Sequence, residues 1–294
     1  MNLVLGTAAL GFPYGAMNRT GKLSQIQATK IVEKAWECGI REFDTAQIYQ
    51  DSEIFLGQAF TDLGIRDCIR VITKLDPKIN PLDERKVIQS VAASMHRLRS
   101  RGLHGVLLHR EYLLDMWHRG LSEILLGLIS GGWTEKVGIS VYLPERALQA
   151  LSLEGFDIVQ FPGNVLDRRV ENANVFELAL QRNKEIYLRN IFLQGLLLMK
   201  PESIPERFSF IKRELEKLNV LLKENDLTAQ ELLIGYLKNS FPSAKLIFGA
   251  ETPEQVEENV EAWNKRIPFG LLDKIKKVFS NVDEKKLIPK MWPK

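Results

Sequence analysis

Residues 69–108 read IRVITKLDPKINPLDERKVIQSVAASMHRLRSRGLHGVLL, and this stretch contains the pattern that decides the fold. Short runs at 69–72 and 105–108 are apolar on both faces, which is typical of buried parallel strands. Between them, residues 84–99 form one apolar stripe with helical spacing: Val87, Val91, Met95 and Leu98. The stretch therefore predicts a strand, a helix and a second strand parallel to the first.

The same alternation continues along the whole chain. Eight short apolar runs predict strands at residues 3–5, 40–43, 69–72, 105–108, 137–139, 158–161, 186–188 and 246–248. Helical patterns lie between them, at residues 24–38, 84–99, 121–129, 144–151, 174–181, 229–237 and 253–263. Such alternation gives either an open doubly wound sheet or a closed barrel, and eight units without a break in composition favour the barrel. We expect an α/β fold, a single TIM barrel domain over residues 1–294 with a C-terminal helix and tail.

Composition excludes several classes of protein. The chain has 45% hydrophobic and 26% charged residues and a net charge of +3, which is ordinary for a globular protein. No dense run of Lys and Arg indicates nucleic acid or a membrane surface as a partner. Neither a signal peptide nor a stretch of about 18 apolar residues is evident. Because Cys38 and Cys68 also suit a reducing compartment, a cytoplasmic protein is expected.

The residues that follow the predicted strands are informative, because a barrel of this type builds its active site at that rim. They are Thr7, Asp44, Lys74, His109, Ser140, Gln160, Arg189 and Gly249. Asp44, Lys74 and His109 follow three successive strands, so a carboxylate, an ammonium and an imidazole are expected side by side. Tyr49 lies in the loop after the second strand, close enough to Asp44 in sequence to fold over the mouth of the barrel.

These four side chains together suit proton transfer. A free phenol has a pKa of about 10, and a nearby ammonium is expected to lower the pKa of Tyr49 by roughly 1–3 units. Asp44 would balance the charge of Lys74, which would otherwise be a poorly compensated buried cation. Simpler alternatives remain open: Asp44 and Lys74 could form a structural ion pair, Tyr49 could be a packed aromatic residue, and His109 could bond a backbone carbonyl.

The motifs around these residues resemble those of the aldo-keto reductase superfamily. The matches are FDTAxxY at 43–49, TK at 73–74, LLH at 107–109, GTA at 6–8, GIS at 138–140, VQ at 159–160, LIFGA at 246–250 and EN at 258–259. The resemblance covers essentially the whole chain. It implies a barrel that binds NAD(P)H and interconverts a carbonyl compound and an alcohol by hydride transfer.

The resemblance also implies roles for individual residues. Tyr49 would be the general acid in reduction and the base in oxidation. Lys74 would lower the pKa of Tyr49, Asp44 would orient Lys74, and His109 would hold the carbonyl oxygen. Ser140 and Gln160 would hold the nicotinamide carboxamide. The full set implied to bind the cofactor is Gly6, Thr7, Ser140, Gln160, Arg189, Gly249, Ala250, Gln255, Glu258 and Asn259.

Four departures from the family pattern bear on the cofactor and the barrel floor. Val141 stands where the family often has Asn, so one contact to the nicotinamide carboxamide is expected to be missing. Arg189 stands where the seventh strand usually supplies an aromatic ring, and it could contact the cofactor or form an internal salt bridge. After the eighth strand, Glu251 and Gln255 suit ribose hydroxyls better than a phosphate. NAD(H) is therefore compatible with the chain, beside the NADP(H) that the family favours. No hairpin plug precedes the first strand, so the floor needs another cover or stays open.

Substrate and function class are less sharply indicated. Tyr14, Tyr112 and Trp117 are candidates for the substrate wall, although Tyr112 and Trp117 could equally pack within their loop. The polar mouth favours a small-molecule carbonyl compound, polar or sugar-like. No HExxH or CxxC motif indicates a metal. The alternative function is a barrel that binds the cofactor without catalysis, as a redox sensor or as a subunit of an assembly of unknown size.

Overall fold

A computed structural model describes residues 1–16, 18 and 21–293 of the chain. Its strands close into a parallel barrel in sequence order, with the last strand paired to the first. The strands are β1 (Leu3–Gly6), β2 (Glu42–Asp44), β3 (Arg70–Lys74), β4 (Leu103–Leu108), β5 (Thr134–Ser140), β6 (Ile158–Pro162), β7 (Glu185–Arg189) and β8 (Lys245–Gly249). The predicted eight-stranded barrel is therefore confirmed.

Helices follow the strands, and each predicted helix overlaps an observed one. They are α1 (Ala8–Gly11), α2 (Gln25–Glu37), α3 (Ser52–Asp62), α4 (Glu84–Leu98), α5 (Leu121–Ser130), α6 (Pro144–Ser152), α7 (Arg169–Asn172), α8 (Val175–Gln181), α9 (Lys212–Asn225), α10 (Ala229–Ser240), α11 (Pro253–Asn264), α12 (Leu271–Val278) and α13 (Glu284–Leu287). Among the helices of the described ranges, none has the length and apolar character needed to cross a membrane.

Helix α3 was not predicted, and its packing explains why. It contains Gly57, a poor helix former, in the middle of its sequence. A Cβ atom at Gly57 would lie 2.1 Å from the carbonyl oxygen of Arg97 at the end of α4, so the missing side chain lets the two helices approach closely. This tertiary contact compensates for the low propensity. Helix α9, inserted between β7 and α10, was also absent from the predicted set.

The inside of the barrel is filled by side chains that support the rim. Apolar and aromatic groups from six of the eight strands form a separate buried cluster there: Val4, Ile72, Leu107, Ile158, Tyr187 and Ile247. A second, larger core lies between the barrel and the helices. Because side chains fill the interior of the barrel, they support the C-terminal ends of the strands, which carry the residues of the rim.

The N-terminal end of the barrel is covered by an ionic network. Lys245 Nζ donates to Glu42 Oε2 at 3.0 Å, to Glu185 Oε2 at 2.8 Å and to the Tyr187 hydroxyl at 2.7 Å. The Tyr187 hydroxyl donates in turn to Glu42, and Lys136 pairs with Glu185. Three of these groups stand in the first position of their strands, so they meet at the floor. The sequence left open how the floor of the barrel is covered. This network of charged side chains covers it.

Lys245→Met is expected to lower the free energy of unfolding by about 2–3 kcal/mol, because two largely buried carboxylates lose their shared cation. Urea unfolding measures the change. The matched control is Lys274→Met, which removes a bridge to Glu224 whose side chains are 50% and 48% exposed. The control is expected to cost less than about 1 kcal/mol. Equal, small effects of both substitutions would show that the floor network does not stabilise the barrel.

Candidate active site

The predicted carboxylate, ammonium, phenol and imidazole meet at the C-terminal rim of the barrel. Asp44 ends β2, Lys74 ends β3 and His109 directly follows β4, and parallel pairing brings these three strand ends to one edge. Tyr49 lies in the loop between β2 and α3. Its ring centroid is 6.1 Å from that of His109 and 5.4 Å from Lys74 Nζ. The four side chains therefore share one site.

Lys74 and Asp44 form a buried ion pair beside Tyr49. Lys74 Nζ donates to Asp44 Oδ1 at 2.8 Å, to Asp44 Oδ2 at 2.7 Å and to the Thr45 carbonyl oxygen at 2.8 Å. The exposed fraction is 1% for Lys74 and 4% for Asp44. Burial lowers the pKa of Lys74, while the charge and hydrogen bond of Asp44 oppose that change. All the N–H groups of the ammonium are thereby used within the protein.

The expected lowering of the pKa of Tyr49 is wrong for this arrangement. Burial raises the pKa of Tyr49, and the negative charge of Asp44 adds to the rise, while Arg189 opposes it. The pairing of Lys74 explains the difference, since an ammonium bonded to a carboxylate and a carbonyl offers the phenol little uncompensated charge. Tyr49 is consequently held as a neutral phenol, the form that can donate a proton.

His109 is also neutral. Burial, together with the positive charges of Lys74 and Arg110, lowers the pKa of His109 to about 3. The Nδ1 atom of His109 is buried and has no hydrogen-bond partner among the described residues. A neutral imidazole carries one N–H donor, so it can hold a carbonyl oxygen without adding a charge.

Gln160 and Ser140 lie behind these groups rather than in the cleft. Gln160 Nε2 donates to Asp44 Oδ1 at 2.7 Å, and the Ser140 hydroxyl donates to Gln160 Oε1 at 3.2 Å. Arg189 Nε donates to the Ser140 oxygen at 3.3 Å, which completes a chain of bonds from β2 to β7. The two residues predicted to hold the nicotinamide carboxamide are therefore engaged within the protein and position Asp44 and Arg189.

Arg189 is held at the rim by neutral partners. One Nη2 atom donates to the carbonyl oxygen of Val141 at 3.0 Å, and the guanidinium carbon lies 4.1 Å from the ring centroid of Tyr142. Within the described part of the chain, no carboxylate forms an ion pair with Arg189. The internal salt bridge that the sequence left open is thus not seen there, and the guanidinium keeps its charge available to the cleft.

A cleft of about 560 Å³ opens beside Tyr49. Its walls come from the ends of β1, β7 and β8, from the loops that follow them, and from α11. The predicted site residues in this lining are Gly6, Thr7, Tyr14, Asp44, Tyr49, Arg189, Gly249, Ala250, Gln255, Glu258 and Asn259. The cleft therefore runs from the proton-donating group to the N-terminal half of α11, as an extended ligand would require.

The surroundings of Asn259, on α11, indicate whether the end of the cleft away from Tyr49 can hold part of a dinucleotide. The residue is 4% exposed, and its Nδ2 donates to the carbonyl oxygen of Gln255 at 2.7 Å. Its Oδ1 is buried without a hydrogen-bond partner among the described residues. A buried amide oxygen left without a donor is costly, and the exocyclic amine of an adenine is a donor of the right kind. The residues present thus fit the adenine end of a nicotinamide dinucleotide.

Two of the predicted substrate-wall residues lie outside the cleft lining. Trp117 is buried and stacks on Phe156 with ring centroids 4.0 Å apart, so the expectation for Trp117 is corrected to a core packing role. The short helical turn at Glu111–Arg119 directs this ring inwards. Tyr112, in the same turn, is 53% exposed and stands at the surface. Tyr14 lines the cleft, and its place in the substrate wall stays a prediction.

Gly11 supports the loop that carries Tyr49, and the sequence analysis missed it. A Cβ atom at Gly11 would lie 1.9 Å from the carbonyl oxygen of Tyr49 and 2.7 Å from the amide nitrogen of Ser52. Only a glycine allows α1 to approach the loop this closely. A glycine inside a helical stretch directly after a buried strand was the signal that could have identified this contact.

The loop after β7 has an uncommon backbone conformation. Asn190, Leu193 and Gln194 all lie in the left-handed region, with φ values of 57°, 50° and 57°. Residues other than glycine adopt this region rarely, and such conformations concentrate at functional sites. Asn190 and Gln194 both line the cleft. This wall is therefore shaped by backbone geometry that apolar patterning in the sequence does not reveal.

Comparisons with known proteins identify the family of the chain. The sequence profile of the Aldo/keto reductase family matches residues 2–278. D-threo-aldose 1-dehydrogenase from Pseudomonas sp. is 23% identical over 97% of this chain and 96% of its own length. The NADH-specific methylglyoxal reductase of Escherichia coli (strain K12) is 25% identical, over 88% of this chain and 89% of its own length.

A solved structure shows the same fold. The holo form of an aldo-keto reductase from Bacillus halodurans superposes with a TM-score of 0.77 at 23% identity, covering 94% of this chain and 91% of that chain. Residues 2–278 match the family profile and include every element of the barrel and its rim. The chain belongs to the aldo/keto reductase family and is a carbonyl oxidoreductase.

Proposed function

We propose that the chain reduces small aldehydes or ketones with NADH, and oxidises the corresponding alcohols with NAD⁺, using Tyr49 as the group that exchanges a proton with the carbonyl oxygen. The observation that carries this proposal is the neutral phenol of Tyr49 beside the neutral imidazole of His109 at the mouth of the cleft. The relatives named for methylglyoxal and aldose substrates support a small, polar carbonyl compound.

In reduction, Tyr49 donates its hydroxyl proton to the carbonyl oxygen, and the N–H of His109 holds the same oxygen in place. The bound nicotinamide supplies the hydride, which is the chemistry of the cofactor. When the phenol gives up its proton, a negative charge forms on Tyr49 near the ammonium of Lys74. Turning one N–H of Lys74 from the Thr45 carbonyl towards this charge would stabilise it. In this way Lys74 would offset part of the rise in the pKa of Tyr49 that burial causes.

The cleft supplies groups for each part of the cofactor. Asn259 and Glu258, on α11, suit the adenine, and Gln255 suits the adjoining ribose. Arg189 offers a guanidinium that can stack on a ring or bind a phosphate, and the backbone around Gly249 leads into the N-terminus of α11. These assignments use only residues of the lining and leave Ser140 and Gln160 as positioning groups.

Steady-state assays test the proposed function. Purified protein is mixed with NADH and, in separate reactions, with methylglyoxal, an aldose and a simple aldehyde, and the loss of reduced nicotinamide is compared with the alcohol formed. Equal amounts of NADH oxidised and alcohol formed are expected. Binding of either nicotinamide without turnover of any carbonyl compound would contradict the proposal and favour the non-catalytic alternative.

NADH is expected to bind more tightly than NADPH, by about tenfold or more. The part of the cleft near α11 is lined by Glu251 and Glu258, and Arg189 is the single Lys or Arg side chain among the described lining residues. A phosphate on the adenine ribose would bring further negative charge to this end without a described cation to bind it. Fluorescence titration with each cofactor gives the two dissociation constants. Tighter binding of NADPH by the natural sequence would refute this preference.

Two charge-reversal variants test whether the charge inside the cleft causes the preference for NADH. Glu251→Lys is expected to strengthen NADPH binding by about tenfold, because the new ammonium faces the cleft. Glu254→Lys makes the same change of charge three residues on, at an exposed position outside the lining, and should alter the constant by less than about twofold. If both variants shift NADPH binding equally, the effect is one of overall charge and not of the cleft.

Gly11→Ala is expected to lower kcat/KM by about 100-fold, since the added methyl group displaces the Tyr49 loop and a misplacement of about 1 Å has an effect of this size. Thermal unfolding is measured in parallel to separate loss of geometry from loss of fold. Gly127→Ala is the control, since a Cβ there meets nothing within 4 Å and an alanine favours the helix. Full activity of Gly11→Ala would show that the loop position is not set by this contact.

A further inference from the structure

Three cations gather at the rim of the barrel around Tyr142, the second residue after β5. The guanidinium carbon of Arg189 lies 4.1 Å from the ring centroid of Tyr142, and Lys290 Nζ lies 4.5 Å from it. Arg110, in the loop after β4, is near enough for its charge to act on the same phenol. The positive charges of Arg189, Lys290 and Arg110 lower the pKa of Tyr142 although burial opposes the change. Because these cations come from distant parts of the sequence, only the folded chain assembles them.

Among the described residues, no acidic side chain is paired with these three cations to balance their positive charge. None of the three forms an ion pair with a described carboxylate, and the partners of Arg189 include the neutral oxygens of Ser140 and Val141. Glu111, the acid of the adjoining loop, instead accepts a hydrogen bond from the backbone N–H of Tyr142 at 2.8 Å. Arg189 lines the cleft, and a cluster of positive charge beside a cleft draws anions towards it.

The cations face the place where the substrate carbonyl is proposed to bind. Beside burial and Lys74, the charges that lower the pKa of His109 are those of the same three cations. Tyr14, Tyr49 and Arg189 line the cleft, and the guanidinium of Arg189 lies over the ring of Tyr142, so Tyr142 stands beside the cleft. An anionic group within reach of the cations would therefore belong to the molecule whose carbonyl meets Tyr49 and His109.

We infer that the natural substrate carries an anionic group, a carboxylate or a phosphate monoester, in addition to its carbonyl. Arg110 and Lys290 bind this group beside Tyr142, and Arg189 adds its positive charge from the cofactor side. This inference rests on the proposed reductase function and adds the substrate class to it. Guanidinium groups bind carboxylates and phosphates through paired hydrogen bonds, and a lysine at the edge adds a mobile point charge. The Tyr142 hydroxyl supplies a further donor to the same anion.

Matched substrates test the inference. Succinic semialdehyde is compared with butanal, and glycolaldehyde phosphate with glycolaldehyde, at one cofactor concentration and low salt. At least one anionic member is expected to have a kcat/KM about tenfold or more above that of its neutral partner, and the pair that shows it distinguishes carboxylate from phosphate. The advantage should shrink as ionic strength rises, because exposed charges are screened. Turnover of the neutral members at equal or higher kcat/KM would overturn the inference and leave the proposed function standing.

Two variants and a control assign the effect to the cations. Arg110→Gln and Lys290→Gln should each reduce the anionic-to-neutral ratio of kcat/KM by about tenfold, mainly through KM for the anionic substrate. Lys285→Gln, which removes an exposed positive charge from the same C-terminal segment, should leave the ratio unchanged. A ratio unaffected by both cation variants would overturn the assignment. If no aldehyde reacted, whether neutral or anionic, the proposed reductase function itself would be wrong, and the inference about the substrate would fall with it.

Discussion

Tyr49→Phe is expected to lower kcat by about 10²–10⁴-fold, the contribution of general acid catalysis, while the dissociation constant for NADH changes by less than about twofold. The substitution removes one hydroxyl from a ring that packs against Phe12 and faces His109, so the packing of the site is preserved. Single-turnover reduction and cofactor titration separate the two quantities.

The exposed Tyr112 provides the control for this experiment. Tyr112→Phe removes the same hydroxyl group outside the cleft lining and should leave kcat unchanged. If Tyr49→Phe turned over aldehydes at the rate of the natural sequence, Tyr49 would not be the proton donor. In that case His109 or a water molecule would have to supply the proton.

The pH dependence of the natural protein tests the same mechanism from another side. Because burial raises the pKa of Tyr49, the phenol stays protonated and reduction should be nearly independent of pH between about pH 6 and 9. Oxidation needs the phenolate, so its rate should rise with pH over the same interval. His109, with a pKa of about 3, should contribute no step near its usual value.

Asp44→Asn is expected to lower the free energy of unfolding by about 3–5 kcal/mol, because it leaves the buried ammonium of Lys74 without its counter-charge. Gln160 would lose its charged acceptor as well. Urea unfolding at neutral pH measures the loss. A change below about 1 kcal/mol would show that the pair is no more important than an exposed salt bridge.

The free energy of unfolding lost in Asp44→Asn should depend on pH, and this dependence shows whether the charge of Lys74 causes the loss. Burial holds the pKa of Lys74 below that of an unfolded lysine, so the unfolded state binds more protons than the folded state in the interval between the two values. Stability therefore rises with pH across that interval, up to about pH 10.4. Removing Asp44 should lower the folded-state pKa further, and the deficit of Asp44→Asn should narrow as pH rises.

A double substitution separates stability from catalysis. Replacing both members of the pair, as Asp44→Leu with Lys74→Met, removes the buried charges together and should restore most of the lost stability. It should not restore turnover, because no cation then remains to stabilise the phenolate of Tyr49. Recovery of both properties would mean that the pair has no part in the reaction.

Local patterns were enough to predict the strands of the barrel and the meeting of Asp44, Lys74, His109 and Tyr49. Most strands contain a short apolar run, and parallel strands of one barrel place their C-terminal ends at the same rim. A residue at the C-terminal end of a strand can therefore be placed at the active-site rim from the sequence alone. Helix α3 escaped prediction because its stability depends on contact with α4 and not on its own composition.

Protonation states, bonding partners and long-range clusters could not be read in the same way. The ammonium of Lys74 lies 2.7 Å from Asp44 Oδ2 and 5.4 Å from the ring centroid of Tyr49, a preference that residue order does not encode. The engagement of Gln160 with Asp44 and the gathering of Arg110 and Lys290 at one rim join segments far apart in the chain. Apolar periodicity reports how each element is buried, whereas electrostatics depends on the separation of charges in the folded molecule.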